Sequence, residues 1–304
     1  ACGNVGLKAS RGLISLGPRL NDILAPLVSE GCNSRTVRDT AAFLDIVSGY
    51  EPGDSVLTNK QPTEYLKQHI VPPAPLKIAI CVENLLAEVP VDSFVMNELE
   101  RVGQLLTELG HHVELHVPQF FSDGQHVVDA FKTLWLELAA ASIGSAAINA
   151  GRVPNKSTLE PISLKMYEAG LKVTAIEKDL ALAIGNELAQ DVKNFFSNYD
   201  LLLTPTFVSA TPDIGSDVTL ESDLSLDEWF FNATRHIPHP ALANITGIPA
   251  ISLPCASSPD GMPLGMQFFA PLGNDLLLLK IARQIEQATP WLKYKPAIYA
   301  SAHL

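Results

Sequence analysis

The segment 76–117 constrains the fold more than any other stretch of this chain. It opens with Leu76-Lys77-Ile78-Ala79-Ile80-Cys81-Val82, a short, branched, apolar run of the kind that forms a buried strand. A helix is predicted next. Asp92 or Ser93 can cap it, Val95, Leu99, Val102, Leu106 and Leu109 recur on one face, and Gly110 ends it. Residues 112–117 then alternate polar and apolar, as a half-buried strand does. Strand, helix and strand at this spacing predict a βαβ-like unit and place the chain in the α/β class.

The flanking sequence adds elements on both sides. Residues 1–34 are rich in glycine and read as loops and short strands. Ser34 or Thr36 can cap a helix carrying Val37, Ala41, Leu44 and Val47, with Gly49 as its stop. Residues 56–75, with Pro62, Pro72, Pro73 and Pro75, read as a proline-rich surface excursion. Helices are expected over 124–150, 158–170 and 174–198, and strands at 200–206, 250–255 and 264–270. Pro259-Asp260-Gly261 turns the last two strands into each other. A final helix over 274–288 would present Leu277, Ile281, Ile285 and Ala288.

Charge excludes some partners. With 21 Lys and Arg against 33 Asp and Glu, the net charge is -12, which disfavours nucleic acid and anionic membrane. The most apolar stretch, 134–150, is interrupted by Glu137, so a core helix is expected rather than a membrane span. Cys2, Cys32, Cys81 and Cys255 form no CxxC pair, and scattered thiols suit a reducing, cytoplasmic compartment. Cys81 and Cys255 fall in strand-like runs and read as inert core.

No complete catalytic constellation emerges from residue types alone. There is no Walker loop, no dinucleotide fingerprint and no GxSxG elbow. His236 and His239 are spaced as HxxH, but Pro238 and Pro240 break a regular helix there and no carboxylate sits at ligand spacing, so no metal is expected. His111, His112 and His116 read as surface residues. Ser252 lies inside an alternating strand and reads as a face residue.

Three blocks resemble the amidase signature family. CGNVGLKASRGLIS (2–15) resembles the family segment CGxxGLKPTxGRxS, with Ala9 in place of Pro and Leu13 in place of Arg. NSRTVRDTAAFLDIVSGYEPGDS (33–55) resembles its RTVxDxAxxLDxxxGxDPxD helix, and 242–279 resembles its C-terminal block NxxGxPAxxxPxGxxxxGxPxGxQ. The end blocks look most like the nylon-oligomer branch, the cyclic 6-aminohexanoate dimer hydrolases. The resemblance implies a mixed β-sheet core flanked by helices, with 1–304 forming the C-terminal portion of an amidase domain. It implies hydrolysis of a linear or cyclic carboxamide by Ser–cisSer–Lys acyl transfer, a small-molecule amide as substrate, no cofactor, and a homodimer as one form of the full-length parent.

The family's Lys, cis Ser and nucleophile Ser all precede the CGxxGLK segment, which begins here at residue 2; Lys8 matches the structural lysine of that segment. The expectation is therefore a chain with no catalytic residue of its own, inactive as given. The alternative is a binding or scaffold protein, or half of a two-chain assembly, that keeps the fold. Gly247 and Pro249 match the family's GxP turn, and Trp135, His236 and His239 are the candidate substrate contacts.

Overall fold

Strands Lys77–Ile80 and His112–Leu115 pair in parallel and are joined through helix Ser93–Glu108, so the predicted βαβ unit is present. The computed structural model describes residues 2–17, 27–56, 64–83, 89–118, 120, 124–216, 218–237 and 239–295. Ala1, residues 57–63 of the proline-rich stretch and Pro238 lie outside them.

The strands are β1 (Val5–Lys8), β2 (Asn33–Ser34), β3 (Lys77–Ile80), β4 (His112–Leu115), β5 (Leu201–Pro205), β6 (Ala250–Ser257) and β7 (Pro263–Phe269). The helices are α1 (Val37–Val47), α2 (Tyr65–Gln68), α3 (Ser93–Glu108), α4 (Gly124–Ala150), α5 (Pro161–Gly170), α6 (Ala175–Phe195), α7 (Leu226–Arg235), α8 (Pro240–Thr246) and α9 (Asp275–Ala288). The sheet order is β2-β1-β6-β7-β5-β3-β4, with β5, β3 and β4 parallel and the other pairings antiparallel. This is the mixed sheet flanked by helices that the sequence led us to expect.

Both faces of the sheet are buried, which is why its central strands read as continuous apolar runs. Ile78, Ile80, Leu201 and Leu203 enter one core with α1, α3 and α9; Ala79, Cys81 and Leu202 enter a second core with α4 to α8. A side-chain period of two divides each strand between the cores. The helices are fixed locally by their caps. Thr36 Oγ1 accepts from Asp39 N–H at the start of α1, and Thr174 with Glu177 closes a reciprocal capping box on α6.

Helix α9 gathers the first core. Its Glu286 Oε1 accepts from Val37 N–H at 3.0 Å, its Asp275 accepts from Ser10, and its Gln284 lies 3.1 Å from His111 Nε2. The buried stripe of α9 is Leu278, Leu279, Ile281, Ala282 and Ile285. Leu277 is only partly buried and Ala288 is exposed, so the stripe is rotated from the expected one.

Other expectations need correction. His111 is buried rather than on the surface: its Nδ1 accepts from Leu76 N–H at 3.1 Å, which leaves the Nε2 proton to be donated to Gln284 Oε1. The core-helix expectation for 134–150 holds only in its first half. Leu134 and Ala140 are buried, whereas most of 141–150 is exposed, with Ile148 at 81%. The expected break at the HxxH holds: α7 ends at Arg235 and α8 begins at Pro240, which occupies its first turn, where the missing N–H costs nothing. Within 64–75 the chain forms α2. Its Tyr65 is wholly buried, and Asp45 accepts from the N–H groups of Tyr65 and Leu66. Among the described residues no helix is long and apolar enough to cross a membrane.

Candidate functional site

The first local site is a hydroxyl pair at the end of the sheet. Strand β5 runs out through Thr206, whose N–H donates to Gly265 O of β7 at 2.9 Å. This brings Thr206 Oγ1 to 2.7 Å from Ser252 Oγ of β6. Gly265 is the residue that permits the pair: a Cβ there would stand 2.6 Å from Ser252 Oγ and 2.7 Å from Thr206 Oγ1. A cavity of about 150 Å³ opens beside them, with Cys2, Asn4 and Asn33 on its wall. Ser252 was expected to be a face residue, and its partner Thr206 was not anticipated at all; they are 46 positions apart and only the strand pairing joins them.

The second local site is the charged knot under β1. Ser10 N–H and Oγ donate to the two oxygens of the fully buried Asp275 at 2.8 and 2.6 Å, and Ser10 Oγ accepts from Gly273 N–H. Arg11 Nη2 donates to Asn244 O and Ile245 O at the end of α8, and Arg11 N–H donates to Gly247 O. A cation on the last carbonyls of a helix is favourable there. Gly247 caps α8 at φ 81°, and a Cβ at this position would lie 3.0 Å from Arg11 Cβ. That is the close backbone turn expected of the GxP motif. Lys8 Nζ donates to Ala9 O at 2.6 Å; burial lowers its pKa to about 7, against the opposing pull of Asp275.

The three residues singled out from sequence sit on the helical layer over the second core. Trp135 of α4 is 41% exposed and its ring lies 5.5 Å from that of Phe131, which in turn meets Phe230 of α7 at 6.0 Å. His236 caps the end of α7, and its Nδ1 is 2.9 Å from Ser209 Oγ. His239 precedes α8, is wholly buried, and among the described residues has no hydrogen-bond partner on either ring nitrogen. Burial drives its pKa down to about 3, so the ring is neutral at physiological pH. The Phe131–Phe230 contact links the helix of Trp135 to the helix that His236 caps, while the HxxH rings belong to the ends of two different helices. Ser209 went unnoticed in the sequence because nothing in its neighbours marks it.

Among the described residues no three His, Cys, Asp or Glu side chains converge as metal ligands. The sequence model of the family described as Amidase matches residues 1–279. The chain belongs to the amidase family.

Relatives within the amidases are similar along almost the whole chain. The protein AmiC of Mycobacterium tuberculosis (strain ATCC 25618 / H37Rv) is 34% identical over 301 residues, 96% of this chain and 59% of AmiC. The 6-aminohexanoate-cyclic-dimer hydrolase of Paenarthrobacter ureafaciens is 31% identical over 304 residues, 98% of this chain and 61% of that enzyme. A solved structure of 6-aminohexanoate cyclic dimer hydrolase superposes with a TM-score of 0.89 at 30% identity, covering 97% of this chain and 62% of the other. A bacterial aryl acylamidase of the amidase signature enzymes shares the fold, with a TM-score of 0.77 at 21% identity. The amidase signature resemblance of the end blocks, and its nylon-oligomer flavour, are thus confirmed. The chain spans about three fifths of the length of these relatives.

Proposed function

We propose that this amidase chain is the C-terminal portion of an enzyme that hydrolyses a carboxamide C–N bond, and that its nucleophile and base lie in sequence preceding it. The observation that carries this reading is the pairing of near-complete coverage here with about 60% coverage of the cyclic-dimer hydrolases. The reaction would be acyl transfer from amide to a serine and then to water, with a second serine relaying the proton to a lysine, and would use no metal or organic cofactor. The end of the sheet near Cys2 and the Ser252–Thr206 pair would then adjoin the incoming nucleophile loop. Trp135 and His236 would contribute walls to the acyl pocket, and the buried His239 would back them from within the core rather than touch the substrate. Small uncharged amides, linear or cyclic, are the substrate class.

The test compares the purified chain with the same chain preceded by its natural upstream sequence, on a simple linear amide and on the cyclic dimer of 6-aminohexanoate. Release of amine by the longer protein alone supports the proposal. Turnover by the chain as given, absent from a protease-free control, overturns it, as does a longer protein that binds these amides and leaves them intact.

A further inference from the structure

A cavity of about 370 Å³ lies beside the β6–β7 turn, between Arg35 and the segment that follows α9, and falls within the size range of small-molecule sites. Its apolar wall combines the buried Pro254, Ala256 and Trp291 with Met262 and Tyr294, which stand exposed at the rim. The two sides are clamped together. Trp291 Nε1 donates to Arg35 O at 3.0 Å, and Arg35 Nη2 donates to Tyr294 O at 3.3 Å. The cavity adjoins the smaller one beside the hydroxyl pair through Cys2 and Gly3, but Arg35, Trp291 and Tyr294 line it alone.

Arg35 decides what the cavity would accept. Among the described residues no carboxylate pairs with it. Its Nε is buried with no acceptor, its Nη2 makes only the long bond to Tyr294 O, and its Nη1 makes no hydrogen bond and is open to solvent. The other charged residue on the wall is Lys295, also a cation, and no acidic residue lines the cavity. Asp260, next to the rim residue Gly261, accepts from Ser258 Oγ within the turn. A partly desolvated guanidinium without a counter-ion favours an anion, and its planar fork matches the two oxygens of a carboxylate. The net charge of -12 is screened beyond about 8 Å at physiological salt, so the local positive charge governs.

We propose that this cavity binds a small organic carboxylate with an apolar tail, its oxygens on the Nη groups of Arg35 and its tail along Pro254, Ala256 and Met262. The site is independent of the amide hydrolysis proposed above, in which Arg35 has no part. A cation would be repelled by Arg35, and an anion without a tail would forgo the apolar wall.

Hexanoate, hexan-1-ol and acetate separate the charge from the tail. Titration of the intact protein with each is followed by calorimetry and by the indole N–H resonance of Trp291, which reports on Arg35 directly. Hexanoate should saturate, hexan-1-ol should not, and acetate should bind at least about tenfold more weakly than hexanoate. Arg35→Gln should weaken hexanoate about fivefold to tenfold, with part of the loss recovered in Arg35→Lys, which keeps the charge without the fork. Met262→Glu, a change at an exposed rim position, sets a like charge at the mouth and should weaken hexanoate by about threefold or more, so the test survives if the Arg35 variants fail to fold. Absence of saturation, equal binding of hexan-1-ol or acetate, or unchanged affinity in a folded Arg35→Gln or in Met262→Glu would overturn the proposal.

Discussion

Ser10 and Asp275 lie 265 positions apart in sequence and share two hydrogen bonds, both accepted by the buried Asp275 carboxylate. The pair ties the loop after β1 to the first turn of α9. A carboxylate at a helix N-terminus is also favoured by the helix dipole. Removing it leaves the Ser10 N–H and hydroxyl without an acceptor. We expect Asp275→Ala to cost about 3–5 kcal/mol and Ser10→Ala about 1–3 kcal/mol, read from urea unfolding. The double mutant should cost clearly less than the sum, because each change removes the other's partner.

His239 makes acid stability a measurable quantity. Its folded pKa is depressed to about 3 from the ordinary 6.5, so between these values the unfolded chain binds a proton that the folded chain refuses. The sign follows: this contribution to stability is intact above about pH 6.5 and is lost as pH falls, at up to about 1.4 kcal/mol per pH unit. His239→Leu should flatten the acid limb of a stability–pH curve. An unchanged slope would show that the ring is hydrated rather than dry.

Lys8 acts on the alkaline side. Burial lowers its pKa from 10.5 to about 7, so the folded state releases its proton first and stability should rise between those two values as pH increases. Lys8→Met should remove that rise. Unfolding midpoints at about pH 7 and about pH 10 in the two proteins decide the matter.

Gly265→Ala should split the hydroxyl pair. Its Cβ would fall inside contact distance of both oxygens, at a cost of about 1–3 kcal/mol for overpacking. Adding Ser252→Ala to Gly265→Ala should recover part of the loss. If the double mutant is no better than Gly265→Ala alone, the crowding arises from Thr206.

Thiol reactivity should divide the cysteines by burial. Burial pushes Cys81 up to about 11 and Cys255 up to about 12, whereas Cys2 is exposed. In the native protein a thiol reagent should label Cys2 first and spare Cys81 and Cys255 until denaturant is added. Rapid native labelling of Cys255 would contradict its place in the core.

The sequence was legible where the signal is periodic and local. The α3 face of Val95, Leu99, Val102 and Leu106 is buried as its spacing requires, and Gly110 ends that helix at φ 93°. Helices α7 and α8 were not legible. Their short apolar pattern is masked by two prolines, one of which turns out to start a helix. His111 was misplaced because a histidine beside a strand gives no sign of a backbone N–H waiting to be accepted. The candidate site was the least legible part: Ser252–Thr206 and Ser209–His236 are created by the packing of elements that sequence spacing keeps apart.

The fastening of α9 to β1, α1 and the His111 segment has a consequence for synthesis. Ser10 leaves the ribosome 265 residues before Asp275, an interval of roughly 13–53 s at ordinary elongation rates. Throughout that time the loop after β1, the start of α1 and His111 have no access to their α9 partners. The first core therefore closes only after α9 has been made, and a ribosome stalled before the Asp275 codon would hold a chain in which the loop after β1 still lacks that partner.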